Sequence, residues 1–482
     1  MIWYLKNNTT TLWIGTLILF LISFCVRFIA LNQTPYANGW DGYYYVMQTH
    51  SFIEYGHLKS LDYSLIYPYF IIVTFFISDY ELAFKIGCAI LAGALTAVTL
   101  KTISGYCKNM NLAILGASIT IFSPGITFFL SQFPKNFMGI LFLLLVAYYL
   151  VRKRYLLAVL FIILSILTHR LTGALGIIFL LISMIRSISW KYLVGTFVAI
   201  TLVSFLPGIL HFTDLERFKG ELSITPQFAP LSFINLKISS GIWNVEVILS
   251  AVLILLYLIW FIKHILQSRK FEIQAFLPVL MAAFILFPFF KMEHGSMGYR
   301  FFLLLPFVTP FIMVFALRQL AQRGVVLISL VLIISSGFSY RAYNPTLHDA
   351  PNRLYEQITA TIQNHYSSKQ YSLVIAHKSL AEIIIYKSEF DALNWSVPAH
   401  VNKEHVLRVV HGIPQRILSR YANAEIKYLI VRLNTNYCIV PESTWESILQ
   451  QAADDKQFME LVYNGNNPFV ARPEYLLKGK GI

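Results

Sequence analysis

Asp41 is the residue around which chemistry can be built. It stands between Trp40 and the run Tyr43, Tyr44, Tyr45, inside the stretch NGWDGYYYVMQTHSFIEYG at 38–56. A carboxylate crowded by aromatic rings loses part of its hydration, which makes it a better proton acceptor. The rings are natural platforms for the faces of sugars and natural occupants of a membrane interface. A blander reading fits the same residues. Asp is a good N-cap and Gly56 a good C-cap for a helix over about 43–55, and capping needs no chemistry.

Other charged residues cluster in a few short segments. Glu54, His57 and Asp62 share the loop with Asp41. Glu54 is far along the same helix, ~20 Å from Asp41 at 1.5 Å per residue, and reads as a solvated surface residue. Asp62 can fold back toward the site. The segment THRLTG at 168–173 holds His169 and Arg170, either as snorkelling anchors or as a phosphate clamp, since Arg pairs two hydrogen bonds with phosphate oxygens. KMEHGSMGYR at 291–300 brings Lys291, Glu293, His294 and Arg300 together between two apolar runs, where charge is costly unless it serves a site. Ser123, Pro124 and Phe133, Pro134, Lys135 bracket another turn, and Lys135 and Arg27 are further candidates for the same cationic cluster. No cofactor is demanded by these residues. A divalent cation (Mg or Mn) on Asp41, Asp62 or Glu293 is the one alternative.

The elements that must position these groups are membrane helices. The chain has 482 residues, 57% hydrophobic and 13% charged, with a formal net charge of +14. A soluble fold cannot hide that much apolar surface. A span needs ~20 apolar residues. The candidates are 11–31, 81–100, 111–130, 135–151, 155–168, 171–186, 191–210, 243–262, 272–290, 301–317 and 324–340, eleven in all. The run 64–78, SLIYPYFIIVTFFIS, is expected to be a surface or re-entrant segment. With it outside the count, Lys6, Lys101, Lys108, Arg152, Lys153, Arg154, Arg186, Lys191, Lys263, Arg269, Lys270, Arg318 and Arg323 share one side with a single acid, Glu272. By the positive-inside rule that side is cytoplasmic, and the Asp41 loop and the C-terminal tail are external. The basic excess lies almost wholly in 1–342, between spans. Topology and lipid phosphate account for it, and nucleic-acid binding is excluded as the reason.

The domain plan is therefore a membrane part, 1–342, with external loops 32–80 and 211–242, followed by a soluble tail, 343–482. Expected strands in the tail are 371–377, 405–410 and 427–433. Expected helices are 352–366, 379–392, 414–422 and 444–456, with a hairpin over 458–473. Strands alternating with helices predict a small α/β domain with a mostly parallel sheet. Cys25, Cys88, Cys107 and Cys438 offer no disulfide framework and no zinc spacing.

Taken together, Asp41-Gly42-Tyr43-Tyr44, then Gly56, Asp62 and Tyr67-Pro68, resemble the first external loop of the GT-C superfamily of membrane glycosyltransferases. Ser123-Pro124 after the third span and Arg300 opening a late span are similar as well. The resemblance covers roughly 10–342, and is closest to the protein O-mannosyltransferase and aminoarabinose-transferase types. It implies a mainly α, polytopic bundle, N-in and C-out, in a bacterial inner membrane with the site on the periplasmic face. It also implies a polyprenyl-phosphate-linked sugar donor, inversion at the anomeric carbon, and Asp41 as the base that activates a lipid, glycan or protein acceptor. Arg170, His169, Arg300, Lys291 and Lys135 would hold the donor phosphate. Trp40, Tyr44, Tyr45, Glu293 and His294 would face the acceptor or sugar. The loop is similar to that of oligosaccharyltransferases too, but the tail has no WWD-type motif. Gly42 stands where many relatives carry a second acid, which leaves metal dependence open.

Two other classes remain as alternatives. A flippase or transporter of lipid-linked sugars would place charge inside its spans and often shows internal repeats. A polysaccharide ligase or polymerase would use the same donors without a soluble tail.

Overall fold

The computed structural model describes residues 9–39, 41–60, 62–107, 109–184, 304–317, 349–394, 397–398, 400–411, 420, 437–456 and 458. These are mainly helical. Among the described residues three helices are long and apolar enough to cross a membrane: Leu12–Leu31, Tyr80–Gly105 and Pro134–Val151. The chain is a membrane protein by that measure. It divides into two compact units: Met1–Gln33 with Leu61–Pro345, and Thr34–Ser60 with Thr346–Ile482. The segment 34–60, which the sequence assigns to the membrane part, thus belongs with the tail.

The first unit contains α1 (Thr9–Leu31), α3 (Ile66–Thr74), α4 (Tyr80–Cys107), α5 (Met110–Phe122), α6 (Pro124–Gln132), α7 (Pro134–Val151), α8 (Tyr155–Thr168), α9 (Arg170–Met184) and α10 (Leu305–Leu317). Helix α4 is central, packing on α1, α5 and α7. Small buried polar groups join it to α1: the Thr96 hydroxyl donates to Ser23 Oγ at 2.9 Å, and Ser23 donates to the Ala92 carbonyl at 3.2 Å. Such side chains let apolar helices approach closely and bond across the interface.

The run 64–78, expected as a surface or re-entrant segment, holds only the nine-residue α3, ~14 Å long and too short to cross ~30 Å of hydrocarbon. One expected span is modified. The run 111–130 is broken into α5 and α6, bent by 56°. The cause is Ser123-Pro124. Proline has no N–H and forces the preceding residue out of the helical region, and Ser123 is extended at φ −70°, ψ 118°. Ser123 Oγ then accepts from the Ile126 N–H at 3.1 Å and starts α6.

The break frees carbonyls at the end of α5, and Arg27 takes them. Arg27, in α1, is fully buried. Its guanidinium donates to the carbonyls of Thr120 at 2.8 Å, of Ser123 at 3.1 Å, and of Ile121. Arg27 is therefore a structural cap, and it does not join the expected cationic cluster. With Lys85 of α4, also buried, it puts a basic side chain inside each of two apolar helices.

The second unit contains α2 (Gly42–Tyr55), α11 (Asp349–His365), β1 (Leu373–Ala376), α12 (Lys378–Lys387), β2 (Asp391–Asn394), a 3-10 turn (Lys403–His405), β3 (Val406–His411), β4 (Tyr437–Pro441) and α13 (Glu442–Gln451). The strands form one sheet in the order β2-β1-β3-β4, parallel except for the antiparallel β3–β4 pair. Strand β1 is buried along its whole length, and Leu373, Ile375 and Val406 form a core under Val397 and Val401. Arg408 holds Glu442 with both arms of its guanidinium, one at 2.7 Å, fixing α13 to β3.

Helix 379–392 is an overextension. It stops at Lys387, Ser388 turns extended at φ −140°, and residues 391–394 become β2. Strand β4 went unrecognised in the sequence because its four apolar residues carry no alternation. The expected spans at 191–210, 243–262, 272–290 and 324–340, the loop 211–242, the strand 427–433, the helix 414–422 and the hairpin 458–473 lie outside the described residues, apart from Arg420 and Phe458.

Candidate active site

Asp41 stands at the start of α2, at φ −103°, ψ 7°, but its side chain makes no capping hydrogen bond. Its Oδ1 accepts from Lys378 Nζ at 2.7 Å. Among the described residues nothing bonds Oδ2. The Asp41 side chain is 30% exposed and that of Lys378 45%, so the pair is open to an approaching group. Gly56 does act as the C-cap, left-handed at φ 74°, with its N–H on the Phe52 carbonyl at 3.0 Å. Gly42 has a steric reason: a Cβ there would stand 3.1 Å from the Ala37 carbonyl carbon, so no second acid fits beside Asp41 without moving the chain.

Lys378 is the first residue of α12, which packs against α2. A cation at a helix N-terminus opposes the helix dipole, and Asp41 compensates it. The ammonium also lies 5.3 Å from the centre of the Tyr44 ring. Burial works to lower the Lys378 pKa, but the charges of Asp41 and Glu382 more than offset it, and the group is pushed above its ordinary value.

Glu382, one turn along α12, places Oε1 3.8 Å from the same ammonium. It is 4% exposed, and neither of its oxygens has a hydrogen-bond partner among the described residues. Burial pushes its carboxyl up to about 8, with Lys378 opposing and Asp41 adding to the rise. Three ionisable groups thus share one charge system.

Around this centre Tyr44 is half-buried, its hydroxyl 3.0 Å from Ser60 Oγ and 3.2 Å from Gln48 Nε2. Tyr45 is only 5% exposed, so its ring is part of the packing and does not present a face for a sugar. Glu54 is exposed, as expected, and so is His57. Lys59 pairs with Asp391 at 2.7 Å, tying the end of this segment to β2.

A second cluster is built within the first unit. Asp62 accepts from Lys135 Nζ at 2.6 Å through Oδ1 and from the Tyr67 hydroxyl at 2.6 Å through Oδ2. The following residues are stitched to the end of α8: Ser64 Oγ donates to the Thr168 carbonyl at 2.9 Å, and the Leu65 N–H to the Leu167 carbonyl at 3.3 Å. His169 packs on α7 one turn beyond Lys135, where a Cβ on Gly139 would stand 2.9 Å from its Cβ. So Asp62 is paired with Lys135, and His169, followed by Arg170 at the start of α9, packs on α7 at Gly139. Gly173, in the same segment, lies inside α9. A Cβ there would meet the Ile166 backbone at 2.8 Å.

Asp41 offers one carboxylate that already carries an ammonium, and both oxygens of Asp62 are engaged. Among the described residues no three metal-ligating side chains come together. Trp40, Lys291, Glu293, His294 and Arg300 lie outside the described residues.

Lys378 and Glu382 were missed in the sequence. The signal was present in HKSLAEIII: a lysine opening a helix against its dipole, and an acid set in an apolar run. The chain matches no protein-family model, and no curated protein is significantly similar to it in sequence.

Proposed function

We propose that this chain is an inverting glycosyltransferase of the GT-C kind, which moves a sugar from a polyprenyl-phosphate donor to an acceptor hydroxyl or amine. The reading includes a bacterial inner-membrane bundle of about eleven spans, N-terminus cytoplasmic, with the Asp41 loop and a C-terminal α/β domain on the external face.

The observation that carries it is the state of Asp41. The capping explanation would use its side chain on the helix start, and the side chain is turned to Lys378 instead. Lys378 fixes Oδ1, which leaves Oδ2 to accept the acceptor's proton. The acceptor oxygen or nitrogen then attacks the anomeric carbon as the bond to phosphate breaks. Cations are assigned to the phosphate: His169 and Arg170, with Lys291 and Arg300. Charge that develops on the leaving group is stabilised most by donors already in place. The exposed Phe52, Ile53 and Tyr55 on α2 suit a helix lying at a lipid interface.

The test is transfer by the full chain in detergent, supplied with radiolabelled polyprenyl-phosphate sugars. Wild type releases sugar, and Asp41→Asn is slower by about 10²–10⁴-fold, the range for a lost general base. Equal release by both proteins, or no donor binding by either, overturns the reading.

A further inference from the structure

The residue left unexplained by that reading is Glu382. A buried carboxylate without hydrogen bonds is costly, and natural structures rarely carry one without a role. Its setting is specific. Lys378 holds Asp41 at 2.7 Å and faces Glu382 at 3.8 Å, so one ammonium is shared by two acids. The remaining groups on the elements packed against α12 are occupied or distant in role. On α12 itself, Tyr386 packs its ring against Tyr43 and His50 of α2. Lys387 pairs with Glu356 of α11, and Tyr355 of α11 lies against the His377 ring. Asp391 of β2 is held by Lys59, and β1 has no titratable side chain. The charges that act on Glu382 are those of Lys378 and Asp41.

We propose that Glu382 is a positioning residue that balances the charge of Asp41 across Lys378: as Asp41 gains a proton, Glu382 loses one and takes over the ammonium. This rests on the transferase reading for the source of the first proton. The bookkeeping is closed. The acceptor's O–H or N–H bond breaks and an O–H bond forms on Asp41. The Glu382 O–H bond breaks and its proton passes to water. Lys378 stays protonated throughout, and the cluster holds one positive and one negative charge before and after. Without Glu382, protonation of Asp41 would strand the ammonium beside a neutral acid, and that would hold Asp41 in its unprotonated form.

The coupling is measurable without any substrate. In the full chain in detergent, infrared difference titration follows the protonated-carboxyl band that Glu382→Gln removes. In wild type this band is present at neutral pH and disappears around pH 8. Asp41→Asn removes a repelling anion, so the band disappears at lower pH. Lys378→Met removes the attracting cation, so it disappears at higher pH, each by about a unit or more. Absence of a Glu382-dependent band at neutral pH overturns the proposal, as does a band that neither variant moves.

The second arm is the transfer assay. Once Glu382 ionises it draws Lys378 away and Asp41 becomes the stronger base, so the wild-type rate climbs as pH passes about 8. Glu382→Gln abolishes that climb, and a profile identical to wild type overturns the proposal. If neither protein transfers sugar, the transferase reading has failed, and the infrared titration still decides whether the three groups are coupled.

Discussion

Lys135 and Asp62, 73 residues apart, meet at 2.6 Å. The sequence assigns Lys135 to a phosphate clamp and Asp62 to the Asp41 site or a metal, and each neutralises the other. With Tyr67 on the second oxygen, Asp62 organises the start of α3 and the start of α7. Asp62→Asn and Lys135→Met should each lower the thermal midpoint in detergent. The double variant should lose less than the sum, with a coupling of about 0.5–3 kcal/mol. Additive losses would mean that the pair does not hold in solution.

The Asp41–Lys378 pair should contribute little to stability, because both side chains are substantially exposed. Such pairs contribute ~0.2–1 kcal/mol. Asp41→Asn is therefore expected to keep its circular dichroism spectrum and nearly its thermal midpoint while losing transfer. A variant that unfolds would make Asp41 a structural residue.

Glu382 also predicts how stability depends on pH. Its folded pKa is raised, from an ordinary 4.5 to about 8. Between those values the folded state binds the proton that the unfolded state has lost. The stabilisation is full below about 4.5 and falls by about 1.4 kcal/mol per pH unit up to about 8. Glu382→Gln should flatten that slope in denaturation of the detergent-solubilised chain from pH 5 to about 8. An unchanged slope would place the responsible group elsewhere.

Arg27 should be the most sensitive of these positions. Removing it leaves the carbonyls of Thr120, Ile121 and Ser123 without their donor, and each hydrogen bond to a charged group contributes ~1.5–3 kcal/mol. Arg27→Met should lower the thermal midpoint by several degrees. Arg27→Lys should recover only part, because an ammonium lacks the flat fork that reaches three carbonyls. Full recovery by Lys would argue against the cap.

Labelling from the two sides of the membrane tests the short α3. Single cysteines at Ser60 and Asp79 should react with an impermeant reagent from the same, external face, and one at Gly105 from the other. Labelling of position 79 from the cytoplasm would require the run 64–78 to cross.

The membrane class was legible from composition, and α1, α4 and α7 from unbroken apolar runs, because burial in lipid demands one simple pattern over ~20 residues. The break at Ser123-Pro124 interrupts the run 111–130 that the sequence reads as one span, although its cause is local, in the chemistry of proline. Helix α2 and its Gly56 cap were readable from local signals. Strands β2 and β4 were not, since strands of four or five residues carry almost no period and take their place from their neighbours.

Asp41 itself was visible in the sequence, as an acid set among rings at a helix start. Whether its carboxylate capped that helix or faced outward depended on Lys378, 337 residues later, and only the tertiary structure joined the two. The same holds for Lys135 and Asp62, for Arg27 and the α5 carbonyls, and for Glu382. Local sequence determines what a segment can form, because helix and span signals act over one or two dozen residues. Which charge meets which is decided by folding, because an ion pair needs only that two distant points of the chain be brought within a few ångströms.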